Sequence, residues 1–352
     1  DLSEQTNKVL DFVKADNDSV SNFATDILQT PDGGYVSVGY TYNGTDFDAW
    51  VLKFNTNLDT VWTTSMGTAG SHDYGNSIQI MSSGSYVVCG TSYDATNHDH
   101  DMKVWSISSA GVASVIYEET TNNSLDDKGN YAEQTDDGGI IIMGTQGDDI
   151  SLIKLRQHND GSFDADSDTC SVAGQNTESD CTTNSGTWYT GFSSDGALTT
   201  GTSSIDQGIY IQQLYDGSYI IVGNTEAGTG QQSNVYINTI SSIGVEGSSV
   251  TMGGANRDEV SCVRQTDDGG FVFTGTKYSQ STMKDVWVVK LTPALTVHWD
   301  YTYGGDLNDV GESIAQTYDG GYIITGNTMS YGDPKIDQTE IILLKLDANG
   351  IV

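Results

Sequence analysis

Thr30-Pro31-Asp32-Gly33-Gly34-Tyr35-Val36-Ser37-Val38-Gly39 joins a tight-turn signal to a strand signal. Asp-Gly supplies a turn residue with positive φ, and the apolar run behind it stops at another glycine. The stretch returns as Thr135-Asp136-Asp137-Gly138-Gly139-Ile140, Leu214-Tyr215-Asp216-Gly217-Ser218-Tyr219, Thr266-Asp267-Asp268-Gly269-Gly270-Phe271 and Thr317-Tyr318-Asp319-Gly320-Gly321-Tyr322. A worn copy, Met81-Ser82-Ser83-Gly84-Ser85-Tyr86, makes six. The glycines closing the strands, Gly39, Gly90, Gly144, Gly223, Gly275 and Gly326, stand 51, 54, 79, 52 and 51 residues apart. Five units of about fifty residues, and one carrying roughly 27 more, have the period of propeller blades. The repeat predicts an all-β, six-bladed β-propeller of four-stranded antiparallel blades, one domain over residues 1–352.

Each unit reads as four strands. Strand A precedes the turn (Phe23–Gln29, Tyr74–Ile80, Lys128–Gln134, Gln207–Gln213, Glu259–Gln265, Val310–Gln316). Strand B follows it as a nearly all-apolar run, as in a strand buried on both faces. Strand C carries patterns such as Asp285-Val286-Trp287-Val288-Val289-Lys290-Leu291, and strand D segments such as Thr60-Val61-Trp62-Thr63. The sixth unit ends after strand C, whereas Val9-Leu10-Asp11-Phe12-Val13 matches the strand D segment Val297–Tyr301. The N-terminal strand is therefore expected to complete the last blade and close the ring, which removes two free sheet edges. Residues 157–200 break the pattern as an insertion in blade three, with Trp188–Phe192 and Ala197–Thr200 as alternatives for its strand D.

Composition narrows the partners. With 48 acidic and 14 basic residues the net charge is −34, which repels nucleic acid and anionic membranes. No run of 18 apolar residues exists to span a bilayer. Solvated surface acid is one reading of the charge, and divalent cation binding is another.

The chain resembles secreted bacterial and archaeal propeller proteins with T-x-D-G-G-[YF]-[IV]-x-x-G repeats. The W-x-x-K-L and Y-G-G segments of that group recur as Trp287–Leu291 and Tyr303-Gly304-Gly305. The resemblance implies the propeller fold and an extracellular or cell-surface location, and almost no chemistry.

Several groups are candidates for function. Asp73, Asp127, Asp206, Asp258 and Asp309 recur before strand A, with Asn22 in blade one. They read either as carboxylates gripping a cation or cationic ligand at a channel mouth, or as caps of their own loops. Gln29, Gln134, Gln213, Gln265 and Gln316 suit amide bonding between blades. Asp164, Asp166 and Asp168 have the alternate-carboxylate spacing of a Ca²⁺ loop, with a solvated acidic loop as the alternative. His98-Asp99-His100-Asp101 offers metal-ligand residue types, though neighbours in an extended loop point apart. Tyr42, Tyr93 and Tyr278 each stand three residues after a closing glycine, with Tyr331 near that register. Such rings, gathered on the B–C/D–A loop face, suit sugar stacking, and loop packing is the alternative. Cys170 and Cys181 close a small polar loop and are expected to form a disulfide. Cys89 and Cys262 lie in different blades and are expected to be free, buried thiols. No nucleophile or phosphate-loop signature appears.

The sequence thus favours a non-enzymatic extracellular binding or adhesion module, calcium-stabilised, whose ligand is a glycan or a surface protein. A structural subunit that self-assembles or belongs to a larger surface protein is a second reading. A glycan-active hydrolase or lyase with paired carboxylates is a third.

Overall fold

A computed structural model describes residues 22–94, 99–118, 126–158, 161–165, 169–170, 188–189, 197–202, 204, 206–226, 233–279, 283–331 and 339–352. Every regular element among them is a strand, and the fold is a six-bladed β-propeller. The chain divides into two compact units, residues 1–142 with 156–164 and residues 143–155 with 165–352.

The first unit holds two complete blades. Blade one is β1 (Asn22–Gln29), β2 (Tyr35–Tyr42), β3 (Phe47–Phe54) and β4 (Thr60–Met66), paired in that order. Blade two repeats it with β5 (Asp73–Ile80), β6 (Tyr86–Asp94), β7 (Asp99–Ile107) and β8 (Ala113–Glu118). Alternation along the strands puts Val36, Val38, Ala49 and Val51 of blade one against Ile78, Val88, Trp105 and Ile107 of blade two. Full burial of such side chains stabilises by about 1.5–3 kcal/mol each before entropy is subtracted.

Blade three contains β9 (Asp127–Gln134), β10 (Ile140–Gln146), β11 (Asp149–Gln157) and β12 (Phe163–Ala165). Two short strands, β13 (Thr169–Cys170) and β14 (Trp188–Tyr189), pair with each other, whereas β15 (Ala197–Thr200) returns to β11 along Ile150–Ile153. The outer strand is therefore made of two pieces, β12 and β15, and Ala197–Thr200 is the half that follows the insertion.

The second unit continues with blade four, β16 (Asp206–Gln213), β17 (Tyr219–Glu226), β18 (Ser233–Ile240) and β19 (Glu246–Met252). Blade five is β20 (Glu259–Gln265), β21 (Phe271–Ser279), β22 (Met283–Leu291) and β23 (Val297–Tyr303). Blade six has β24 (Asp309–Gln316), β25 (Tyr322–Thr328) and β26 (Glu340–Leu346) among the described residues. Residues 9–13, expected to supply its fourth strand, lie outside them. On β26 Ile341 is 84% and Leu343 63% exposed, while Ile342 and Leu346 pack into the core shared with blade five.

The turn signature has a physical reason beyond its positive-φ glycine (Gly33, φ 81°). In blade one the Asp32 carboxylate accepts hydrogen bonds from the Thr30 hydroxyl and from Gly34 N–H. The buried Lys53 on β3 reaches back to it at 2.9 Å and also donates to Phe54 O at 3.0 Å. Lys290 with Asp268, and Lys345 with Asp319, repeat the staple. The second glycine makes room for it: a Cβ on Gly34 would stand 2.8 Å from Lys53 Nζ and 2.2 Å from Phe54 O. Where that glycine is replaced by Ser85 or Ser218, the register partner on the third strand is Ser106 or Thr239 instead of lysine. The glycine pair and the lysine of W-x-x-K-L are one device.

Other repeated residues join neighbouring blades. Gln134, Gln265 and Gln316 each accept a backbone N–H from the preceding blade's turn, at Ser82, Tyr215 and Asp267. A β-bulge recurs in the first strand, and its side chain bonds the next blade: Thr25 Oγ1 donates to Gly75 O and Asn76 Nδ2 to Gly129 O. Cys89 and Cys262 are free and buried.

Candidate functional site: an aromatic surface on blades one and two

Among the described residues, aromatic rings, some exposed and some half-buried, gather beside polar side chains where the B–C and D–A loops of the first unit meet. Tyr42 and Phe47 are cross-strand partners at the end of the β2–β3 hairpin. Tyr93 and His100 occupy the same two positions in β6–β7. Such pairs stand close enough for ring contact, and the centroids are 5.4 Å and 5.3 Å apart. His72, on the D–A loop, bridges the hairpins at 5.7 Å from Phe47 and 6.4 Å from Tyr93. Tyr74 and Tyr40 lie beneath at 6.1 Å and 5.5 Å from Phe47, and Phe23 stacks on Tyr40 at 4.8 Å. Tyr42 is 38% and Phe23 47% exposed. Burial, with Tyr40 adding to it, raises the Tyr74 hydroxyl pKa, so that group stays protonated.

The loops that carry the rings are tied to one another. Asn43 Oδ1 accepts from Thr45 N–H, and its amide donates to Asp46 and Asp48. Asp46, itself buried, accepts from Gly70 N–H at 2.6 Å, which ties the B–C loop of blade one to the next D–A loop. Tyr93 N–H donates to His72 O at 2.9 Å. Loops tied in this way need little ordering when a ligand settles on the rings.

The two histidines have defined partners. Phe47 N–H donates to His72 Nδ1 at 3.1 Å. His100 sends both its backbone N–H and its ring Nδ1 to Asp126 Oδ1, at 3.2 Å and 3.0 Å. The hydrogen bond from His100 lowers the Asp126 pKa, with Lys128 adding at 3.6 Å.

The recurring aspartates are interior. Asp73, Asp127, Asp206, Asp258 and Asp309 are each 1% exposed or less. Asp73 Oδ2 accepts from Thr68 N–H at 2.8 Å, Asp258 from Tyr278 N–H at 3.2 Å, and Asp309 from Gly305 N–H at 2.9 Å. Thr202 N–H donates to Asp206 in the same manner. These are the bonds of loop caps. Burial raises the pKa of Asp73 and Asp258. At Asp309 burial is outweighed by the Ser330 and Thr328 hydroxyls, and its pKa falls.

Of the four tyrosines singled out in the sequence, Tyr42 and Tyr93 join one surface. Tyr278 pairs instead with Lys284, whose ammonium lies 5.3 Å from its ring, and Tyr331 bonds Gly304 O at 2.7 Å, both in the second unit. Phe47, His72 and Tyr74 join the site without standing among the sequence candidates, and His100 enters as a ring partner of Tyr93. For Phe47 and His100 the signal is the cross-strand position opposite each tyrosine. Asp99, His100 and Asp101 begin β7, and His98 lies outside the described residues. So do Asp166, Asp168 and Cys181, while Asp164 and Cys170 fall on β12 and β13. Among the described residues no three His, Cys, Asp or Glu side chains gather to hold a metal.

No family model matches the sequence, and no curated protein matches it. Among solved structures the chain is similar to an ulvan lyase, a polysaccharide lyase, with TM-score 0.52 and 12% identity over 92% of this chain and 78% of that one. A structure of such a lyase bound to -[GlcA(1-4)Rha3S]- gives TM-score 0.51 and 11% identity over 92% and 78%. The β-propeller domain of the Trilobed protease from Pyrococcus furiosus gives TM-score 0.48 and 8% identity over 92% and 81%. At such identities the two lyase likenesses show the fold alone.

Proposed function

We propose that the chain is an extracellular or cell-surface binding module whose ligand is a glycan, taken on the aromatic surface of blades one and two. The observation that carries this reading is the run of ring contacts from Tyr42 through Phe47 and His72 to Tyr93 and His100. Flat rings beside fixed hydrogen-bonding groups suit sugars, whose C–H faces stack while their hydroxyls bond. The polysaccharide-lyase neighbours agree with a propeller serving saccharides and lend no residue to the argument. Asp73 and its equivalents enter as the groups that hold the loops in place. Calcium in the 164–168 loop and the Cys170–Cys181 bridge belong to the same extracellular reading.

Titration calorimetry with neutral oligosaccharides tests the proposal. Tyr93→Ala, which removes the ring between the two histidines, is expected to weaken binding by about tenfold, the effect of roughly 1.4 kcal/mol of lost contact. Equal affinity in wild type and variant would exclude this surface.

A further inference from the structure

In blades one, two and five the strand-C residue paired with the closing glycine is Trp50, Lys103 and Trp287, and the backbone N–H three residues before it meets a side-chain acceptor in each case. In blade five Lys284 N–H donates to Asn308 Oδ1 at 3.1 Å, and in blade two His100 N–H donates to Asp126 Oδ1 at 3.2 Å. In blade one the corresponding donor is Phe47 N–H, and its acceptor is His72 Nδ1 at 3.1 Å. Asn308, Asp126 and His72 each directly precede the capping aspartate of the next blade. In these three blades an acceptor stands at that position, and the bond from Phe47 N–H fixes the tautomer of His72: Nδ1 holds the lone pair and Nε2 carries the hydrogen.

The surroundings set the sign of charge that this donor can meet. Asp46, Asp48 and Asp73 stand behind the ring surface, and Asp126 lies at its edge, 53% exposed. Of the nearby cations, Lys103 is buried and paired with Glu118 at 2.8 Å, and Lys128 faces Asp126. A sugar carboxylate or sulfate placed here meets more negative than positive charge.

We infer that His72 is a specificity-determining residue of the aromatic surface, whose Nε2–H donates to an oxygen of an uncharged glycan, and that anionic glycans are rejected. This deepens the glycan-binding proposal and rests on it. The donor is held in place before binding, so a ligand oxygen gains the bond without ordering the side chain.

Two variants separate donor from ring. His72→Asn installs the residue that the repeat itself uses at Asn308, keeping an acceptor for Phe47 N–H while removing Nε2–H. His72→Phe keeps a ring and removes the donor. Each is titrated calorimetrically against cellohexaose, xylohexaose, mannohexaose and maltohexaose as neutral probes, and hexagalacturonate and a sulfated carrageenan hexasaccharide as anionic ones. Thermal melts check folding. The expected result is binding of at least one neutral probe, none of the anionic ones, and a loss of about tenfold in both variants, the size of one hydrogen bond. Neutral binding that is unchanged in His72→Phe would overturn the donor role and leave the glycan surface standing. Preference for an anionic probe would overturn the charge selection. Binding of no probe would overturn both this inference and the function it rests on.

Discussion

Exchanging a turn glycine and its lysine together should cost less than the two exchanges made separately. In blade five a Cβ on Gly270 would stand 2.3 Å from Leu291 O and 2.6 Å from Lys290 Nζ. Gly270→Ser therefore crowds the staple, at about 1–3 kcal/mol. Lys290→Thr removes an ion pair of 2.9 Å to Asp268 and a bond of 3.0 Å to Leu291 O. Bonds to charged groups are worth about 1.5–3 kcal/mol, but Asp268 is 60% exposed, so about 1–2 kcal/mol is expected. If the two changes were independent, the double variant would lose about 2–5 kcal/mol. Blade four already carries the Ser218/Thr239 combination, so the double variant is expected to recover at least about 1 kcal/mol of that sum. Urea denaturation of wild type, both single variants and the double variant closes the cycle. Strict additivity would refute the claim that glycine and lysine act as one unit.

Acid should weaken the staples. The Thr30 hydroxyl, followed by Lys53, holds the Asp32 carboxyl at about 2. A carboxyl lowered on folding contributes stability above its unfolded value near 3.9, and that contribution is lost as pH falls through about 2. The melting temperature of wild type should therefore fall more steeply between pH 4 and 2 than that of Asp32→Asn; parallel curves would count against it. Calcium in the 164–168 loop predicts a lower melting temperature in EDTA, restored by added Ca²⁺, and an identical transition would remove the cation. Non-reducing peptide mapping is expected to return Cys170 joined to Cys181, with Cys89 and Cys262 free; recovery of Cys170 and Cys181 as thiols would rule the bridge out.

Much of the fold could be read from the chain because each blade repeats its own turn chemistry. The expected strand A starts within a residue of the observed strand in every blade, since Asp-Gly marks where it ends and alternation marks its length. The coupling of Gly34 to Lys53 was harder to see, because it joins residues 19 apart through strand register rather than local pattern. Ser85 with Ser106 and Ser218 with Thr239 carried that signal by departing together. The site was half legible for the same reason. Tyr42 and Tyr93 stood out by their distance from a glycine, but Phe47 and His100 become their partners only once the hairpin register is known. His72 looks like any loop histidine until the bond it accepts from Phe47 N–H is set beside those at Asp126 and Asn308. The divided outer strand of blade three had no repeat to be read against, because the insertion falls within it.

A crystal of the protein soaked with the best-binding neutral hexasaccharide would test the central proposal most directly. The expected result is sugar density across Tyr42, Phe47 and Tyr93, with an oxygen in hydrogen-bonding range of His72 Nε2. Ordered sugar elsewhere on the molecule, with these rings bare, would contradict it.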